Sequence, residues 1–270
     1  MRKSVGVGSV ALLFAMLCMP WVSCAAGASA SGGAPAIDPK AVEVMQKMGS
    51  YMASLQKYKV HADRIVEVIL PNDQRLFSDN SVDLFVQRPD RLRANLISAK
   101  RDLEFFYDGK TFTLYTPRTK YYASVTAKPT IAEMIQNVSS EYDIDFPLRD
   151  VLYHYDVLLK EVVSGEYIGM SLIRGAKCDQ LAFRQKDIDW QVWIEEGEKP
   201  LVRRIAISDK TQKGEPISVT SLSDWDVNPT FEEDLFTFSP PQDAQKIKIV
   251  AVKEAGKIQG ISKGAKPGKP

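Results

Sequence analysis

The chain has 270 residues, with 35 Lys and Arg against 34 Asp and Glu. A balance this even provides no overall basic field to hold nucleic acid. The two histidines, His61 and His154, stand far apart, and no Cys-x-x-Cys or His-Glu-x-x-His spacing occurs, so neither a metal nor another cofactor is expected.

The first residues have the order of an export signal. Arg2 and Lys3 are basic, Val5 to Val22 is apolar with a late break at Pro20, and Ser23 to Ala36 is rich in small residues. A membrane anchor is the competing reading, but the run is at the low end of spanning length and no second one follows. Residues 1–26 are therefore expected to be a signal peptide, with Ala26-Gly27-Ala28 and Ala28-Ser29-Ala30 as small-residue cleavage sequences. Cys24 follows Val22-Ser23, which suits lipidation, although Trp21 stands where such a box has Leu. The expected location is the periplasm, soluble or anchored through a lipid on Cys24. By either route Cys178 is left without an intramolecular disulfide partner. Residues 27–36 read as a flexible linker.

A helix is predicted over 39–56. Asp38 caps it, Pro39 takes its first position, and Ala41, Val44, Met45, Met48, Met52 and Leu55 recur at helical spacing. From Tyr58 the period falls to two. Tyr58, Val60 and Ala62 alternate, as do Val66, Val68 and Leu70, then Val82, Leu84 and Val86, and Leu92, Ala94 and Leu96. Leu103, Phe105 and Tyr107 lead to Asp108-Gly109, a hairpin turn, beyond which Phe112 and Leu114, and then Tyr121 to Val125, continue the pattern. Consecutive strands with tight turns predict an antiparallel meander. Thr130 to Val138 and Pro147 to Tyr155 predict two short helices in the middle. Strands are expected again at Val157–Val163, Tyr167–Ile173, Cys178–Arg184, Trp190–Glu195, Leu201–Ser208 and Ile217–Trp225, with a last one at Phe236–Phe238. The absence of βαβ alternation argues against a doubly wound fold. The segment 251–270, with its lysines among Gly, Ala and Pro, has too few apolar side chains to pack.

Residues able to do chemistry are sparse. The acidic pairs Asp143/Asp145, Asp187/Asp189 and Glu195/Glu196 fall at turns and strand ends, where solvated carboxylates are ordinary. No nucleotide loop or Gly-x-Ser-x-Gly elbow is present outside the signal. Trp190 and Trp193 are three apart on one strand and so face opposite ways, one into the core and one partly outward.

Several segments resemble a known family. Val86-Gln87-Arg88-Pro89-Asp90-Arg91-Leu92-Arg93 resembles the Arg-Pro strand-turn motif of the outer-membrane lipoprotein carrier superfamily, the LolA, LolB and LppX-like proteins. Phe106 to Pro117 is similar to the Asp-Gly-Lys hairpin that follows, and Phe236 to Pro241 to the closing strand. Within that superfamily, three segments resemble a domain-of-unknown-function family of predicted periplasmic proteins: Cys178 to Phe183, Asp189 to Ile194 and Pro200 to Arg204. Gln180 departs from that pattern, where His is more usual. The resemblance spans roughly residues 40 to 248.

The resemblance implies a mainly β, α+β domain over 37–250: a strongly curved open antiparallel sheet, or half-barrel, with helices over its concave face. It also implies a cavity for acyl chains, hence a lipid or a lipidated protein as ligand. Met45, Met48, Met52, Val82, Leu84, Leu96, Phe105, Phe112, Leu114, Met134 and Trp190 are the apolar stripe members expected to line it, with a filled core as the competing explanation. Arg88 takes the place of the superfamily arginine that bonds the lid helices, and is expected to latch them. The leading functional expectation is a non-catalytic carrier or sensor. An envelope interaction or signalling module with a filled cavity and a protein partner comes second, and an enzyme third.

Overall fold

The computed structural model describes residues 37–149 and 158–252. The expected signal, the linker, Cys24, most of the C-terminal tail and most of the second middle helix lie outside the described residues.

The first helix, α1, runs Pro39–Ser54. Asp38 sets its start, accepting from Lys40 N at 2.8 Å. Ala41, Val44, Met45, Met48 and Met52 make its buried stripe. Six strands follow: β1 (Lys57–Ile69), β2 (Arg75–Gln87), β3 (Arg91–Ser98), β4 (Asp102–Tyr107), β5 (Thr111–Thr116) and β6 (Tyr121–Thr126). Helix α2 (Ile131–Tyr142) is capped by the Thr130 side chain, which accepts from Glu133 N. Then come β7 (Ser164–Ile173), β8 (Ala176–Arg184), β9 (Ile188–Glu195), β10 (Val202–Asp209), β11 (Ile217–Asp226) and the two-residue β12 (Gln245–Lys246).

All of these strands belong to one curved, open sheet in the order β12-β6-β5-β4-β3-β2-β1-β11-β10-β9-β8-β7. Apart from β12, which pairs in parallel with β6, it consists of two antiparallel meanders, one from each half of the chain. They meet where β1 pairs with β11, from Lys59 opposite Asp226 to Val66 opposite Ser218. The tightest turn follows the chemistry expected of Asp-Gly. Asp108 Oδ1 accepts from Lys110 N and Thr111 N, and Gly109 has φ +89°. A side chain there would be strained by that φ and would place Cβ 2.7 Å from Asp90 Oδ2.

The core lies on the inner, concave face, under the two helices. Tyr58, Val60 and Ala62 of β1 are buried beside Val82, Leu84 and Val86 of β2, and beside Leu92 and Ala94 of β3. Phe105, Tyr107 and Phe112 extend this floor on one side, and Leu222, Val192, Ile194 and Leu181 on the other. Ile131, Met134, Ile135 and Val138 of α2 close over it together with α1. Trp190 is buried and stacks on Phe183 at 4.3 Å, whereas Trp193 faces outward beneath Arg204, as their three-residue spacing predicts.

Two expectations need correction. The apolar run Val157–Val163 is not a strand in its described part. Leu158 and Leu159 form a helical turn, and Leu158, Leu159 and Val162 pack against the core as partly buried side chains. The ladder with β8 starts at Ser164, opposite Arg184, where Val163 N donates to Arg184 O at 2.8 Å. Phe236–Phe238 is a turn, with Thr237 N donating to Asp234 O at 2.9 Å. Instead of joining a ladder, its rings pack on the sheet's outer face, Phe236 buried and Phe238 half-buried. Phe238 packs on Phe106, Tyr115 and Tyr122, while Phe231 packs on Phe85 and Phe236. The run that begins at Tyr58 and continues with period two past Val66 is one strand, β1, as that continuation implies.

Leu84 lies fully buried at the centre of this floor. Leu84→Ala should cost about 2–5 kcal/mol through lost transfer energy and an unfilled cavity. Urea unfolding would read this as a lower midpoint with an unchanged slope.

Candidate functional site

The inner face changes character partway along β1. Alternation puts Tyr58, Val60, Ala62, Arg64, Val66 and Val68 on one face. The first three lie in the buried floor. Beyond Ala62, Arg64 is half-buried, and the described wall opens into a cleft of about 820 Å³. Val66, Val68, Ile188, Ile207, Phe146 and Leu148 supply much of its apolar lining. That volume falls in the range of small-ligand sites, about 300–1,000 Å³.

The rim is braced by charge pairs. Glu67, on the other face of β1, accepts from Arg75 Nη1 at 2.7 Å and from Ile217 N at 3.0 Å, and both bonds hold its carboxyl below the usual range. Arg75 Nη2 reaches Gly214 O at 2.9 Å, and Lys213 pairs with Asp73 at 2.6 Å. The β1–β2 hairpin is thereby tied to the β10–β11 loop, and these two turns frame the mouth.

The eleven apolar residues singled out from the sequence are brought together in one cluster. Met45, Met48, Met52, Val82, Leu84, Phe105, Phe112, Met134 and Trp190 are buried in it, and Leu96 and Leu114 pack against it partly buried. They form the packed core between the sheet and the two helices and are set apart from the 820 Å³ cleft, whose described lining includes none of them. The cleft residues had a signal in the sequence. The β1 alternation continues past Ala62, and the charged Arg64 that interrupts it marks where the apolar floor gives way.

Arg88 sits at a junction. Its N–H donates to Gln56 O at 2.8 Å, and Pro89 O accepts from Ile131 N, the first residue of α2, at 3.0 Å. The Arg-Pro backbone therefore joins the start of β1 to the start of α2. The Arg88 side chain lies beside the Tyr58 hydroxyl. Burial pushes that phenol up to about 12, and the guanidinium charge works in the opposite direction. Tyr58 Oη and Arg88 Nε are both buried without completing a hydrogen bond of normal geometry.

A family model described as "Predicted periplasmic protein (DUF2092)" matches residues 41–250. The chain belongs to this family. No curated protein matches it in sequence. Among solved structures it is similar to LprF from Mycobacterium bovis, at 17% identity and TM-score 0.45, covering 79% of this chain and 100% of that one. It is similar to the Mycobacterium tuberculosis lipoprotein LppX at 13% identity and TM-score 0.45, covering 72% and 98%. A LolA superfamily protein from Nitrosomonas europaea is similar at 10% identity and TM-score 0.34, covering 73% and 97%. No helix among the described residues of this DUF2092 protein is long and apolar enough to cross a membrane.

The described residues hold no group of three or more His, Cys, Asp or Glu suited to a metal ion. Most of the acidic pairs noted in the sequence are tied up in part: Asp189 by Arg184 and Lys210, Glu195 by Arg203. Cys178 is a free, buried thiol, pushed up to about 11 chiefly by burial.

His61, on the outer face of β1, invites comparison with a catalytic relay. Its Nδ1 lies 2.7 Å from Asp83 Oδ1, and its Nε2 lies 3.5 Å from Ser81 Oγ. Nε2 also meets Asp63 Oδ1 at 3.4 Å, however, so a carboxylate competes with the serine for the same nitrogen. Both carboxylates favour the imidazolium, and the bond to Asp83 contributes most to raising the His61 pKa. The cluster therefore works as ion pairing between β1 and β2. With the folded pKa raised, this stabilisation is fully present below the unfolded value of about 6.5 and is lost as pH rises through the folded value. The stability gap between the parent and His61→Gln should thus be wide near about pH 5.5 and narrower above about pH 8. Denaturation curves giving the same gap at both values would refute this.

Proposed function

We propose that this protein holds an apolar ligand, a lipid or the acyl chains of a lipidated protein, in its half-barrel and acts as an envelope carrier or sensor rather than an enzyme. The observation that carries the reading is the cleft on the inner face, where Val66, Val68, Ile188 and Ile207 extend the apolar floor beyond the helices. Each CH₂ removed from water is worth roughly 0.8 kcal/mol, so an acyl chain crosses an aqueous compartment only under cover. Export by either expected route agrees with this role: residues 1–26 are removed as a signal, or cleavage just before Cys24 leaves that cysteine as the lipid anchor.

A second reading is favoured by the packing under the helices, where nine of the eleven sequence candidates are buried in one cluster. On that reading the floor is a filled core, and the domain serves as an interaction or signalling module for an envelope protein. Native mass spectrometry of the purified protein followed by lipid extraction separates the two. A carrier gives a mass increment that extraction identifies as lipid; a protein that stays free of lipid after exposure to fatty acid and phospholipid supports the module.

On the carrier reading, Arg88 latches the lid through its half-buried side chain. Arg88→Leu should then alter the rate of ligand release while the melting temperature moves by only a few degrees. Release kinetics matching those of the parent would remove Arg88 from the mechanism.

A further inference from the structure

The polar row that ends the apolar floor offers a specific chemistry. Register places Arg64 opposite Asn80 on β2 and opposite Thr220 on β11. The row above it is Ala62 with Val82 and Leu222, all buried. The row below is Val66 with Ser78 and Ser218. Strict alternation turns all three rows to the inner face. A guanidinium, a carboxamide and a hydroxyl therefore stand side by side across three adjacent strands, between the closed floor and the open cleft. All three are half-buried, and none makes a side-chain hydrogen bond or ion pair among the described residues.

The other charges of the cleft are differently placed. Asp209 accepts from Thr211 N, Thr211 Oγ1 and Gln212 Nε2, so it is occupied in its own turn. Glu67 is held by Arg75 and Asp73 by Lys213. Asp145 and Arg149, of opposite sign, lie exposed on the rim. Arg64 is the cation on the inner-face floor of the cleft. Its fork of N–H donors pairs with none of the cleft's carboxylates among the described residues, and such a fork matches an anionic oxygen group bidentately.

We infer that the cleft takes an amphiphile with an anionic oxygen headgroup, and that Arg64, flanked by Asn80 and Thr220, binds that headgroup while the chain lies along Val66, Ile188 and Ile207. This rests on the proposed function and specifies its ligand class. A carboxylate, as in a free fatty acid, and a phosphate monoester, as in a lysophosphatidic acid, share the required chemistry.

The test is calorimetric titration of the delipidated protein with palmitate, 1-palmitoyl lysophosphatidic acid and the uncharged 1-monopalmitoylglycerol. The parent should bind at least one of the two anions about tenfold or more tightly than the neutral glyceride, and the tighter anion identifies the headgroup. In Arg64→Gln this anion-to-neutral ratio should collapse, and Arg64→Lys should restore part of it. Circular dichroism checks that each variant is folded. If the parent binds all three amphiphiles equally, or if Arg64→Gln keeps the parent's ratio, the headgroup site is overturned and the carrier reading survives. If none of the three binds, the carrier reading itself falls.

Discussion

The antiparallel ladder between β1 and β11 is the contact on which the rest of the structure depends. Without it the chain would be two separate meanders, each with an apolar face open to water. With it, the face of β1 that carries Tyr58, Val60 and Ala62 continues across Leu222 to the face of β9 that carries Trp190, Val192 and Ile194. The pairing joins residues about 160 positions apart, from Lys59 with Asp226 to Val66 with Ser218. Loop-closure entropy grows only slowly with such separations, so the burial that one continuous floor permits can outweigh it.

Two coverings then divide the sheet. Helices α1 and α2 bury the inner face with methionine, isoleucine and valine. The segment from Phe231 to Phe238 buries part of the outer face with aromatic rings packed on Phe85, Phe106, Tyr115 and Tyr122. Covering both faces removes solvent from the middle of the first meander. Its far end, beyond Ala62, keeps an open inner face. An edge-to-edge contrast follows from the same geometry: on the β6 side the sheet is closed off by the short β12, whereas β7 is a full-length edge strand bridged at Gly165 by Ile37.

Much of this architecture was legible in the sequence because period-two runs and turn residues are local signals. The meander, the Asp108-Gly109 turn, the Asp38 cap and the opposed faces of Trp190 and Trp193 all follow from neighbours within a few residues. What was not legible depended on distant partners. Phe236–Phe238 has the composition of a strand, but its destination is set by aromatic rings on β4, β5 and β6, more than a hundred residues earlier. The apolar run at 158–162 carries no mark distinguishing a partner strand from a half-buried helical turn. Similarly, periodicity singled out the eleven apolar candidates but could not say whether the space between sheet and helices was filled or hollow. That depends on how completely the side chains of α1 and α2 fill it.

The contrast between floor and cleft bears on what kind of binding the fold can support. A ligand that inserted among Met45, Leu84, Phe105 and Met134 would have to displace close-packed side chains, and opening a packed core by even one methylene is costly. A ligand lying in the cleft displaces water instead. Its chain gains apolar contact with Val66 and Ile207 while α1 and α2 stay in place, so binding and release need no unfolding of the core. Under those conditions chain burial sets affinity, but it does little to distinguish one acyl tail from another, since hydrophobic contact is non-directional. Direction and selectivity must come from a polar group placed where the chain ends. On the inner face of this sheet, the row at Arg64 is where the strand register changes from buried alkyl side chains to a guanidinium flanked by Asn80 and Thr220.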